Sequence, residues 1–214
     1  MEAMLYDDRV TAAGRVAGLA GASSLHKAWA AMIRKDGNAG ALIAAVPEKQ
    51  RGAGWHFVKA RHLRRSDKPT EAAKVMLAAP REAAALIDTN EWWNEQQILA
   101  RDLIDLRKFD TAYRIAANHS ATTPARKGDA EFHAGWIALR FKGDAATAAK
   151  HFSALANVTD GPISQARAHY WLGRAAEASI MANQKCSEPV ARAVQTISGV
   201  AARHLQGVTT EVAH

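Results

Sequence analysis

Apolar residues along this chain recur with a period near 3.6, and polar turns interrupt them at regular intervals. In "EWWNEQQILARDLIDL" the positions Trp92, Leu99, Leu103 and Leu106 fall on one stripe of a helix. In "SEPVARAVQTISGVAARHLQ" the stripe is Val190, Val194, Ile197, Ala201 and Leu205, with Ser187 as its N-cap. Alanine-rich runs such as "GALIAAV", "EAAALI" and "DAATAAK" add intrinsic helix propensity. No segment alternates with period two over a useful length, so no sheet is expected.

The helical pattern repeats. "ARHLRRSDKPTEAAKVM" (Ala60 to Met76), "ARDLIDLRKFDTAYRIA" (Ala100 to Ala116) and "WIALRFKGDAATAAKHF" (Trp136 to Phe152) align without gaps. Leu63, Leu103 and Leu139 occupy one shared position, and Ala72, Ala112 and Ala148 another. Between them lie the polar stretches "SDKP", "RKFD" and "KGDA". Each unit therefore reads as helix, turn, helix, with the small residue letting the second helix approach the first. A weaker copy spans Trp29 to Pro47, and a partial one spans Ile163 to Ala178. Pro47 and Pro80 close two of the units. One hairpin of this kind cannot bury its apolar face alone. The pattern predicts an all-α fold, a right-handed α-solenoid or superhelix of tetratricopeptide-like helical hairpins with about ten to twelve helices.

Composition sharpens this picture in few places. The chain of 214 residues is 48% hydrophobic, enough for a real core, and its net charge is +7. The cations are dispersed, and "RHLRRSDK" (Arg61 to Lys68) is the one dense cluster. A basic surface favours polyanionic partners in association. Basic and aromatic residues are not interleaved along one face, so nucleic acid is not expected as a partner. A single cysteine, Cys186, allows no disulfide within the chain. No apolar run is long enough to span a membrane.

Candidate chemistry is sparse. "AEFHAGWIALRF" sets Glu131 and His133 close in sequence, but residues two apart on a helix point about 200° apart and do not face each other. Glu131 reads as a carboxylate of the helix N-terminal turn, and Phe132 and Trp136 read as core. Glu91 and Glu95 likewise fall near a helix start, where a solvated or capping carboxylate is the default. The nine histidines form neither H-x-x-x-H nor H-E-x-x-H, and no nucleophile motif is present. No catalytic residue, metal site or cofactor is expected. The residues expected to face a ligand are Trp93, which points about 100° from Trp92, and Arg61 and Arg64 in the basic cluster.

Several stretches occur in a specific order: "EWWNEQQILARDLID", "AYRIAANH", "DAEFHAGWIALRF", "AAKHFSAL" and "PISQARAHYWLGRAAEA". Together they resemble the helical domain of soluble lytic murein transglycosylases. The resemblance extends over about Glu2 to Ala178. It implies a periplasmic protein whose family cuts the β-1,4 bond between N-acetylmuramic acid and N-acetylglucosamine in peptidoglycan, leaving a 1,6-anhydro end. In that family a separate lysozyme-like domain carries the chemistry, marked by a Glu-Ser pair and a Gly-Leu-Met-Gln-type stretch. This sequence has neither, so no catalytic residue carries over.

The resemblance thus predicts a non-catalytic superhelical domain over residues 1–178 and a divergent helical tail over 179–214. Its expected partners are peptidoglycan or a catalytic domain outside this chain. The alternative is a stand-alone tetratricopeptide-like scaffold for a protein partner. The opening "MEAMLYDDRV" lacks the order of a secretory signal, so export would require a signal upstream.

Overall fold

The computed structural model describes residues 1–183. All of the regular structure among them is helical. The described residues divide into two compact units, one spanning Met1–Thr122 and the other beginning at Thr123.

The first unit holds nine helices. They are α1 (Glu2–Tyr6), α2 (Val10–Ala17), α3 (Ser23–Arg34), α4 (Ala39–Ala44), α5 (Ala53–Arg65), α6 (Pro69–Leu77), α7 (Ala83–Leu86), α8 (Thr89–Asp105) and α9 (Phe109–Ala117). A short 3-10 turn, Glu48–Gln50, precedes α5. Consecutive pairs pack as hairpins: α1 with α2, α3 with α4, α5 with α6, and α8 with α9. Each hairpin also touches the next, α2 and α3 meeting, then α3 and α4 with α5, then α5 and α6 with α8.

The second unit holds α10 (Pro124–Phe141), α11 (Ala145–Val158) and α12 (Pro162–Asn183). Here α10 and α11 form the hairpin and α12 packs against both. The partial copy read at Ile163 to Ala178 is thus part of one continuous helix. The boundary read at Ala178 falls inside that helix, and the stripe from Val190 to Leu205 lies outside the described residues.

The repeat reappears in backbone detail. Asp8, Lys35, Asp67, Arg107 and Gly143 all have φ between 56° and 65°. Each sits at the bend of a hairpin. In four of the five, the amide after the bend reaches back to the carbonyl five residues earlier: Arg9 to Met4, Asp36 to Ala31, Lys68 to Leu63 and Lys108 to Leu103. The bend residue itself donates to the carbonyl three back, as in Asp67 to Arg64 and Arg107 to Ile104. This pairing is a Schellman motif, which satisfies the last carbonyls of the first helix. At the fifth bend the Asp144 amide reaches one residue further, to Ala138.

Beyond each bend comes the small residue of the alignment. Ala72, Ala112 and Ala148 are all 0% exposed. Ala13 holds the corresponding place in α2, also with no exposure, and Gly40 holds it in α4. A larger side chain there would push the paired helices apart. Proline opens α6 and α10, where its missing N–H costs nothing. Asp88 caps α8 by accepting the Asn90 and Glu91 amides, and Asp144 caps α11 by accepting that of Thr147. Asp88 is delivered by a tight turn at Ile87 (φ 65°, ψ −57°), closed by the Asp88 amide on the Leu86 carbonyl at 2.7 Å. That hand of γ-turn is strained for a β-branched residue.

The core of the first unit is aromatic and runs through the first helices of successive hairpins. Tyr6 meets Trp29 at 4.9 Å and Phe57 at 4.8 Å, and Phe57 meets Trp92 at 5.3 Å. The Trp92 indole N–H donates to the Tyr6 hydroxyl at 2.8 Å. The apolar stripe of α8 is buried at Trp92, Leu99 and Leu103, but Leu106 lies at the bend and is 50% exposed. In the second unit the buried stripe of α10 is Ala130, Ala134, Ile137 and Ala138. Phe132 and Trp136, read from sequence as core, flank that stripe and are half-buried. Gly135 gives Phe152 of α11 its place, since a Cβ there would stand 2.8 Å from the ring.

Candidate functional site

The residues expected to face a ligand lie on α5 and α8, and the structure turns all three inward. Trp93 is 0% exposed and stacks edge-on with His119 at 6.0 Å, so its ring offers no face to a ligand. The reason is the two-sided packing of α8. Trp92 points to the aromatic core and Trp93 to the other side, where it meets His119 in the segment after α9. Gln96 helps to fasten this segment, giving its amide N–H to the Asn118 carbonyl and accepting the Ser120 amide.

Arg61 and Arg64 are one turn apart on α5, and both reach Glu95 of α8. Arg61 Nε donates to Glu95 Oε2 at 2.9 Å, and its Nη2 donates to Glu91 Oε2 at 3.0 Å. Arg64 donates through Nε to Oε1 at 2.5 Å and through Nη2 to Oε2 at 3.2 Å. Arg64 also faces Asp102 at 3.9 Å. The Arg61 guanidinium lies 4.3 Å over the Phe57 ring. Glu95 is only 1% exposed, so it is no solvated or capping carboxylate. A buried carboxylate is tolerable because two guanidiniums pair with both of its oxygens.

Two Arg and two Glu balance in charge here, and their donors and acceptors are turned on one another. Burial works against the charge on Arg64, yet its hydrogen bonds to Glu95 and the attraction of Glu95 and Asp102 leave it above its ordinary value. Asp102, at the rim, is pushed up by its own partial burial and by the nearby Glu95, Asp105 and Asp67, with Arg64 pulling the other way. The cluster is a lock between adjacent hairpins. Its buried carboxylate, Glu95, is closed to acid–base chemistry, and both guanidiniums are committed to carboxylates.

The second unit answers the question raised by Glu131 and His133. Glu131 is not in a first turn, because α10 starts seven residues earlier at Pro124. As helical geometry requires, Glu131 and His133 do not pair with each other. Glu131 instead meets His151 of α11, Oε2 to Nδ1 at 2.6 Å. His133 turns back to Asp129, one turn earlier, with Nδ1 2.8 Å from its carbonyl oxygen. Beside them Phe132 packs with Trp171 at 5.9 Å and carries the Arg167 guanidinium 4.6 Å above its ring. Glu131 and His151 therefore tie α10 to α11.

Sequence reading did not find His151 as the partner of Glu131, nor Glu95 as a buried acid. The signal for the first was available. Both residues flank the bend at Gly143 on helices that the repeat makes antiparallel. Glu95 carried no such mark, since its burial depends on how α5 stacks on α8. Among the described residues no group of three or more His, Cys, Asp or Glu side chains could hold a metal ion. No described helix is long and apolar enough to cross a membrane. Comparison with known protein families, with characterised proteins and with solved structures finds no match.

Proposed function

We propose that the chain is a binding scaffold, a right-handed α-solenoid of tetratricopeptide-like hairpins. In this reading it serves as the non-catalytic superhelical domain of a periplasmic lytic transglycosylase and positions glycan or a catalytic domain outside the chain. The observation that carries the scaffold reading is the recurrence of one hairpin bend at Asp8, Lys35, Asp67, Arg107 and Gly143. A unit repeated in this way stacks on its neighbours and displays a continuous surface. The transglycosylase reading rests on the ordered motifs between Glu91 and Ala178, and the net charge of +7 suits the carboxylates of peptidoglycan stem peptides.

Co-sedimentation with purified sacculi, followed by chromatography of the supernatant, tests the proposal. The chain is expected to pellet with sacculi and to release no anhydro-muropeptides. Release of anhydro ends by this chain alone would overturn the non-catalytic assignment. A chain that stays in the supernatant would overturn the peptidoglycan reading and favour a scaffold for a protein partner.

A further inference from the structure

Away from the ion-pair lock, the first unit has an open groove of about 480 Å³ where the bend between α3 and α4 meets the end of α5. Met32, Lys35, Asp36, Ala39, His62, Arg65 and Ser66 line it. From the geometry of these side chains we infer that the groove is a site for an oxyanion, such as the carboxylate of a short peptide-like ligand. The inference stands on the groove alone and does not depend on the peptidoglycan reading.

Three nitrogen-bearing side chains, Lys35, His62 and Arg65, line the groove with little to do inside the protein. Arg65 donates from Nη1 to the Met32 sulfur at 3.4 Å, a weak acceptor for a guanidinium. Neither Arg65 nor Lys35 forms an ion pair among the described residues, and both are exposed. This contrasts with Arg61 and Arg64 on the same helix, which are committed to Glu95. His62 is half-buried and enters the groove against Gly40, where a Cβ would stand 3.0 Å from its Nε2.

Cations at the ends of α3 and α5 have an ordinary explanation, that they cap the last carbonyls of those helices. The backbone already does much of this work. The carbonyls of Ala31 and Met32 accept the Asp36 and Lys35 amides. Those of His62, Leu63 and Arg64 accept the amides of Ser66, Lys68 and Asp67. The Lys35 ammonium and most of the Arg65 guanidinium donors thus remain open to a ligand. Asp36 is the one carboxylate in the lining, and it gives an acceptor to a ligand that also carries a donor. The volume suits a molecule of dipeptide size.

The test uses the full chain and amide NMR. The probes are an alanyl-alanine dipeptide with a free C-terminal carboxylate, its C-terminal amide, and inorganic phosphate. Saturable shifts at Lys35, Arg65 and Ser66 are expected with the free dipeptide and not with the amide. Lys35→Gln and Arg65→Gln should each weaken binding about tenfold, the scale of one charge-assisted hydrogen bond. Circular dichroism should match the parent, because both side chains are exposed. Saturable phosphate binding lost in the same two variants supports the oxyanion site as well, and the tighter probe names the source. Three results would overturn the inference: no shifts with either oxyanion, equal binding of dipeptide and amide, or both variants binding as the parent does.

Discussion

The two units use the same kind of hairpin but fill it differently. In the first, Tyr6, Trp29, Phe57 and Trp92 form a chain of aromatic contacts that is almost wholly removed from water. In the second, Phe132 and Trp171 touch Phe152, yet only Phe152 is fully buried. The ion pairs follow the same division. Glu95 is enclosed by two guanidiniums, whereas Glu131 and His151 keep about a fifth of their side-chain surface in water. The bend of the hairpin is thus a local property of the chain, while the depth of burial depends on what stacks against each helix.

Substitutions in the aromatic groups should break this contrast first. Trp92→Ala should cost about 3–5 kcal/mol, since it empties a large buried volume and orphans the Tyr6 hydroxyl. Trp171→Ala should cost about 1–2 kcal/mol, because less surface is lost. Urea denaturation measures both, and equal losses would remove the distinction between the units. Next come the acids. Glu95→Ala leaves Arg61 with Glu91 alone and Arg64 with only the distant Asp102, and should cost about 3 kcal/mol. Glu131→Ala, at a partly exposed pair, should cost about 1 kcal/mol or less.

These differences mark where the sequence could be read and where it could not. The gapless alignment of Ala60, Ala100 and Trp136 located three bends and three buried small residues, because both depend on residues within one hairpin. The same local logic separated Glu131 from His133. Trp93, Arg61 and Arg64 required knowledge of the neighbouring hairpin. The spacing of Trp92 and Trp93 showed that they diverge, but α8 has packing on both sides, so divergence did not bring exposure. Arg61 and Arg64 stood in a basic cluster whose acids lie some thirty residues away on α8. Arg65, in the same cluster, lacks such an acid and remains open, and nothing in the run "RHLRR" distinguishes it.

The effect of pH should also differ between the units. In the first, burial raises the Tyr6 hydroxyl above its ordinary value, with the nearby Glu2 and Asp88 charges adding to it. The folded protein then holds this proton where the unfolded chain releases it, from about pH 10 upward. Stability should therefore fall as pH rises beyond 10, and Tyr6→Phe should flatten that slope. In the second, Asp144 is held below its ordinary value by the Thr147 amide and hydroxyl. Its contribution is fully present above the usual carboxylate range and is lost as pH falls from there through the lowered value of the folded state. Asp144→Asn should reduce the acid dependence, as followed by thermal melts from about pH 5 down to about pH 2.

The smallest effects concern the bends. Arg107→Gly places the residue that best tolerates positive φ at a bend now occupied by a side chain, and should stabilise by about 0.5–1 kcal/mol. Gly143→Ala should destabilise by about 1 kcal/mol for the converse reason. Opposite signs in chemical denaturation would sharpen the view that the two bends are the same device.

Native-state hydrogen exchange at the bend amides tests that view most directly. The Asp36, Lys68 and Lys108 amides each close the same bond to the carbonyl five residues back, and the Asp144 amide closes its longer equivalent. All four are expected to exchange far more slowly than unprotected amides, and to group together in protection. Exchange at the unprotected rate at any of them would contradict the account of the chain as one hairpin used again and again.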